Sequence, residues 1–154
     1  IPTLNGYDNV RFMISTNPGE DLKPLSKVAS GGELSRIMLA IKTVIAQQDD
    51  IDSLIFDEID AGISGKTAQM VANQLKKLSE SHQIICITHL PQIASMADTH
   101  FLIEKTAQDN RTTSHIRSLN EDESVEELAR MLGGTRITDA VLANARELKN
   151  GNKA

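Results

Sequence analysis

The sequence predicts an α/β fold, a mainly parallel sheet with flanking helices, and two kinds of stretch carry that reading. Leu54-Ile55-Phe56 and Ile84-Ile85-Cys86-Ile87 are short, continuously apolar runs, as expected of strands buried on both faces beneath helices. Residues 31–48 and 65–79 instead repeat their apolar side chains at helical spacing. The first apolar run stops abruptly at two adjacent carboxylates, Asp57 and Glu58, and the rest of the chain reads as arranged around that point.

Bulk properties narrow the function before any motif is considered. The chain of 154 residues can bury one real core, and 40% hydrophobic with 24% charged residues is ordinary for a soluble globular protein. Aromatic residues make up 3%, with no Trp, which argues against a base-stacking platform for nucleic acid. A net charge of −5 argues against a polyanion-binding surface in the chain's own right. The single cysteine, Cys86, cannot form an internal disulfide and reads as a small buried residue in a reducing compartment. No stretch approaches the about 18 apolar residues of a membrane span, and no signal-like segment opens the chain. The first residue is Ile rather than Met, which suggests a fragment.

In chain order, Val10, Phe12 and Ile14 alternate with polar neighbours as a half-buried strand over 7–16 would, ended by Asn17-Pro18-Gly19. An extended loop through Pro24 follows. Ala29-Ser30-Gly31-Gly32-Glu33 then opens a helix over 31–48 with Leu34, Ile37, Met38, Ile41, Val44 and Ile45 on one face. Ser30 and Glu33 have capping-box spacing. Two glycines in the first turn are poor helix formers, and they also let an anion approach bare amides at the positive end of the helix dipole. The two readings are compatible.

After the strand at 54–56, a helix over 65–79 buries Ala68, Val71, Ala72, Leu75 and Leu78. Gly62-Ile63-Ser64-Gly65-Lys66-Thr67 ends like a phosphate-binding P-loop, but the position that would need the leading glycine holds Asp60. Lys66 is therefore read as a solvated helix residue. The second apolar run ends in Thr88-His89-Leu90-Pro91, with Pro91 opening a short helix to about Ala97. If the two strands are parallel, His89 lies on the same sheet edge as Asp57 and Glu58, the edge at which open α/β sheets bind ligands. His82, His100 and His115 lack such a context and read as surface residues. Residues 101–104 and 113–119 form a hairpin around a polar loop. Asn120, with Glu123, caps a helix carrying Val125, Leu128, Ala129 and Leu132 inward to Gly133-Gly134. A last helix over 138–149 turns Val141, Leu142, Ala145 and Leu148 to one side.

The ordered set Val28-Ala29-Ser30-Gly31-Gly32-Glu33-Leu34-Ser35-Arg36, Asp57-Glu58-Ile59-Asp60 and Thr88-His89-Leu90-Pro91-Gln92-Ile93-Ala94 resembles the signature motif, Walker B, D-loop and switch histidine of an ATP-binding-cassette ATPase head. It looks like the SMC-like chromosome and repair ATPases rather than membrane transporters. Asn17-Pro18-Gly19-Glu20, Ala61-Gly62-Ile63-Ser64-Gly65 and Arg130-Met131-Leu132-Gly133-Gly134 resemble a bacterial DNA-repair branch of that group, so nearly the whole chain is covered. Glu33 stands where transporters usually have Gln, and Gly62-Ile63 replaces the commoner D-loop ending.

The resemblance implies the carboxyl-terminal lobe of an SMC-type P-loop ATPase head, a single unit over 1–154 with its P-loop half absent. Within it, 1–28 would be strand and loop, 29–104 the motif-bearing core, and 105–154 the hairpin and terminal helices. Asp57 would hold Mg²⁺ through water and Glu58 would polarise the attacking water. His89 would sense the γ-phosphate. Ser30, Gly31, Gly32 and Glu33 would meet ATP held by a second head, and Asp60 would sit across that interface. Implied partners are the amino-terminal P-loop half, a second head in an ATP-sandwiched homodimer, and double-stranded DNA bound by the assembled protein, with no membrane. The setting would be cytoplasmic and nucleoid-associated, in double-strand-break repair and recombination. Alone, the chain would hydrolyse ATP hardly at all and would expose an apolar sheet edge. The alternatives are the head of another SMC-like ATPase, or a non-catalytic interaction module that keeps the fold.

Overall fold

The computed structural model describes residues 4, 6–8, 10–15, 19–27, 30–46, 50–108, 111–134 and 136–151. The expected turn at Asn17-Pro18, the Val28-Ala29 approach to the first helix and the end of that helix at 47–48 lie outside them. The expected strand over 7–16 shrinks to β1 (Met13–Ile14), which pairs antiparallel with β2 (Lys23–Pro24) inside the segment read as loop. A 3-10 turn over Leu25–Lys27 leads on to α1 (Gly31–Ile45).

The centre is a parallel pair, β3 (Ser53–Phe56) and β4 (Gln83–Cys86), in register Leu54↔Ile84 and Phe56↔Cys86. The crossover between them is α2 (Gly65–Leu78), a right length of helix to return the chain to the start of a parallel neighbour. Ala68, Val71, Ala72, Leu75 and Leu78 are all buried, as their spacing requires, and with Leu39, Phe56, Ile59 and Ile93 they form the main core. Only one face of the strand pair is covered. Side chains alternate across a strand, and the face carrying Ile55, Ile85 and Ile87 stays exposed, Ile55 at 69%.

The apolar stripe expected to dock α1 is only partly covered. Ile37 and Ile41 are half-buried, but Leu34, Met38, Val44 and Ile45 are exposed, Val44 at 85%, while Gly32 and Leu39 are the residues that α1 buries. The cause is a different docking face, fixed by polar bonds from Ser35 and Arg36 described below. Cys86, expected to be fully buried, is half-buried beside the core.

A second layer follows α3 (Pro91–Ala94). The hairpin of β5 (Phe101–Gln108) and β6 (Arg111–Ser118) is longer than its sequence suggested, with paired register from Phe101↔Ser118 to Gln108↔Arg111. Cross-strand bonding has extended the ladder through residues whose polarity read as loop. Next comes α4 (Glu121–Gly133), which begins with a complete capping box: the Glu123 amide donates to Asn120 Oδ1 and the Asn120 amide to Glu123 Oε2, both at 2.9 Å. Its Val125, Leu128 and Ala129 pack with Ala94 and with Ala145 of α5 (Asp139–Gly151) in a second core cluster. Val141 lies against Gly133, where an added Cβ would come within 3.1 Å of it. Buried Lys149 donates to the Ala97 carbonyl at 2.9 Å, tying α5 to the end of α3. Among the described residues no helix is long and apolar enough to cross a membrane.

Leu128 is fully buried, so Leu128→Ala removes its contacts and opens a cavity. Urea denaturation of this chain should show a loss of about 2–5 kcal/mol.

Candidate functional site

Parallel pairing brings Asp57-Glu58 and Thr88-His89 out at the same end of the sheet, and the Ile87 amide still donates to the Phe56 carbonyl at 3.0 Å. Beyond β3 the backbone turns sharply. Glu58 has φ 56, a left-handed conformation that costs a non-glycine residue on the order of 1 kcal/mol or more. Such a conformation persists where its surroundings over-determine it, and here they do. Asp57 Oδ1 accepts the Glu58 amide at 2.8 Å, and the Ala61 amide donates to the Glu58 carbonyl at 2.9 Å.

The first turns of α1 clamp the same loop. Ser35 Oγ donates to the Asp57 carbonyl at 2.8 Å, and the Arg36 guanidinium donates to the Ile59 and Ala61 carbonyls at 3.1 and 2.8 Å. These two residues act on the loop in ways that motif reading missed. Their signal was available in the helical spacing from Gly32, which puts both on the face now turned to the loop.

The double glycine acquires a reason within the chain. A Cβ on Gly32 would lie 2.8 Å from the Ala61 Cβ and 2.9 Å from the Glu58 carbonyl, and a Cβ on Gly31 would fall on the Glu58 carboxylate. The Glu58 carboxylate therefore rests against the positive end of α1. Gly32 is buried, whereas Ser30 and Gly31 remain exposed. Only half of the expected capping box forms here: Ser30 Oγ accepts the Glu33 amide across a long 3.5 Å, and no return bond from Glu33 is seen among the described residues.

Asp60, for which the resemblance implies a place across an interface between heads, has a side chain that is 5% exposed within this chain and is engaged by the end of β4. Oδ2 accepts Thr88 Oγ1 at 2.6 Å and the His89 amide at 2.8 Å, and stands 2.9 Å from His89 Nδ1. Burial pushes this carboxyl up, but the bonds from Thr88 and the His89 amide, with the His89 charge, leave it below the ordinary value of 3.8. The His89 ring itself is 72% exposed. Cys86, just below, has its thiol pushed up to about 12 by burial and by the charges of Asp60 and Asp57. It is therefore an inert thiol rather than a nucleophile.

The remaining histidines divide. His115 is exposed as expected, but His82 is buried with Nδ1 2.8 Å from Ser81 Oγ, and His100 is half-buried with Nδ1 2.9 Å from Ser124 Oγ. Burial, then the Lys149 charge, hold His100 below the ordinary histidine range against the pull of Glu127. Both correct the surface reading: His82 is buried beside its neighbour Ser81, and His100 is drawn in by the distant Ser124.

Among the described residues no group of three or more His, Cys, Asp or Glu could hold a metal by itself. The exposed carboxylate of Asp57, beside the exposed Glu58 at the sheet edge, fits the way Mg²⁺ is held by one or two carboxylates together with phosphates and its own waters.

No family model matches the chain. Solved structures do share its arrangement. A structure described under the ATP-driven dimerisation and DNA-stimulated activation of SMC ATPases aligns with 80% of this chain and 81% of its own, at TM-score 0.51 and 25% identity. The Smc head domain of Pyrococcus yayanosii, with coiled coil and joint, aligns with 75% of this chain and 24% of its own, at TM-score 0.54 and 27% identity. The fold is that of a lobe of an SMC-type ATPase head. Within that class the sequence matches the DNA repair protein RecN: 53% identical over 146 residues to RecN of Bacillus subtilis and 51% over 150 to that of Deinococcus radiodurans. These matches take in 95% and 97% of this chain, which spans about a quarter of the relatives' length, 25% and 26%.

Two substitutions separate the roles of the glycines. Gly32→Ala should cost about 1–3 kcal/mol through overpacking against backbone, read as a lower midpoint in thermal or urea denaturation. Gly31→Ala should fold with nearly unchanged stability, because the atom it meets is the movable end of Glu58. Asp60 generates a pH dependence. A carboxyl whose value is lowered on folding stabilises the native state above its unfolded value, near 3.8, and that stability is lost as pH falls through the folded value. The stability gap between the wild type and Asp60→Asn should be full above about pH 4 and should close below it in pH-dependent urea titrations.

Proposed function

We propose that this chain is the signature- and Walker-B-bearing carboxyl-terminal lobe of a RecN-type ATPase head, acting in DNA double-strand-break repair and recombination. The observation that carries the reading is the convergence at one sheet end of Asp57, Glu58 and His89 with the amino terminus of α1 locked onto the same loop. ATP is cleaved by water to ADP and phosphate. Glu58, fixed by its unusual backbone, orients and polarises that water. Asp57 would hold Mg²⁺, whose charge when bound offsets that of the phosphates. His89 meets the γ-phosphate of the nucleotide bound to its own head. Ser30 and Gly31, exposed at the start of α1 beside Gly32 and Glu33, address the nucleotide of a second head in an ATP-sandwiched homodimer.

Hydrolysis in this reading needs a partner segment carrying a P-loop. The exposed isoleucines of the β3–β4 face, Ile55 beside Ile85, support that requirement, because an exposed apolar patch marks a place where another element packs. Double-stranded DNA binds to the assembled protein, in the cytoplasm and in association with the nucleoid.

ATP turnover should be negligible for this chain by itself and should appear when it is combined with the P-loop-bearing segment. Glu58→Gln should abolish turnover, by on the order of 100-fold or more, while ATP binding and head pairing persist, measured by phosphate release and by size-exclusion chromatography with ATP. Turnover by the chain alone would overturn the reading.

A further inference from the structure

Asp60 lies outside the reacting groups, yet it is the most heavily engaged polar side chain at the site. It is 4% exposed, and Oδ2 gathers the Thr88 hydroxyl, the His89 amide and His89 Nδ1 within 2.6–2.9 Å. Two of those contacts fix the backbone of the strand end, and the third addresses the ring. A neutral imidazole carries its hydrogen on one nitrogen only, and the partner of one nitrogen decides which. A carboxylate can only accept, so Nδ1 must donate.

We propose that Asp60 is a positioning residue for His89: it holds the Nδ1 hydrogen and the plane of the ring, leaving Nε2 as the nitrogen that meets the nucleotide phosphate. The arrangement parallels the way a buried carboxylate sets the tautomer of a working histidine elsewhere. Thr88 and the His89 amide make the device rigid. They fix Asp60 from the strand side, while the Arg36 bonds to the Ile59 and Ala61 carbonyls fix the backbone on either side of it. The ring remains 72% exposed, so orientation is supplied without closing off the ligand. Asp60 thereby acts on the histidine of its own chain.

The claim about phosphate rests on the proposed ATPase reading, and the claim about the ring does not. Two measurements keep them apart. In this chain labelled with ¹⁵N-histidine, two-bond proton–nitrogen correlations report each ring's tautomer, and His89→Gln assigns the signal. His89 should show hydrogen on Nδ1, and Asp60→Ala, which removes the acceptor, should remove that preference. In the head completed with its P-loop segment, Asp60→Ala should lower ATP turnover on the order of 10- to 100-fold, and it should cost little more once His89→Gln is present. Additive losses in that cycle, or an unchanged tautomer in Asp60→Ala, would overturn the proposal. If Asp60→Ala fails to fold, the wild-type ring decides: hydrogen on Nε2 overturns it. A completed head without any turnover would sink the ATPase reading and leave the tautomer result to judge the ring.

Discussion

The loop at residues 57–61 is held from both sides, and the rest of the site depends on that grip. From one side, Asp60 reaches inward to the end of β4; from the other, Ser35 and Arg36 reach across from α1. Each contact is a hydrogen bond of modest net value, about 0.5–1.5 kcal/mol for a neutral pair and more for a charged one. Their importance lies in what they exclude. With both flanks fixed, the backbone has little choice but to carry Glu58 through its left-handed turn. A strained conformation at one residue is then sustained by several ordinary interactions at its neighbours.

This arrangement joins elements far apart in sequence into one mechanical unit. The start of α1 cannot shift without pulling on the carbonyls of 57–61, and that loop cannot shift without moving Asp60 and, through it, His89. The glycines belong to the same unit. Gly32 permits close approach of helix and loop, and Gly31 leaves room for the Glu58 carboxylate. Glycine at a helix start suits an incoming anion, but here Gly32 is also required by packing against backbone, whereas Gly31 meets only the movable Glu58 carboxylate. One half of a pair that reads as a ligand motif is thus equally a structural joint.

What was legible in the sequence follows from how local each signal was. The five buried positions of α2 and the capping box of α4 are set by spacing within one element, and both emerged intact. The parallel pairing of β3 and β4 followed from two apolar runs and a crossover helix. In α1 the apolar stripe is real, but the face that docks is chosen by Ser35 and Arg36, whose partners lie more than twenty residues away. Helical spacing offers two faces, the apolar stripe and that of Gly32, Ser35, Arg36 and Leu39, and only the distant loop selects between them. His100 was misread for the same reason, since its partner Ser124 is distant in sequence, whereas His82 is buried beside its neighbour Ser81. The resemblance singles out Asp60 for a place at a head interface, and its bonds to Thr88 and His89 appear only when β4 is placed beside β3.

The uncovered apolar surface and the ordered polar site bear on each other. Ile55, Ile85 and Ile87 project from the same strands whose ends carry the carboxylates and the histidine. An element that packs on those isoleucines would be anchored directly behind the site. Its placement would not need to create the geometry of Glu58 or His89, because the bonds that fix both lie within the described chain. In the proposed ATPase reading, completing the head would add a nucleotide cradle to groups already oriented, so that the conformational entropy of ordering them would be met in the folding of this lobe rather than at the moment of reaction. Such preorganisation would also suit the proposed response to a second head: a loop that moves as one body would convey contact at the start of α1 to the histidine without an intermediate rearrangement.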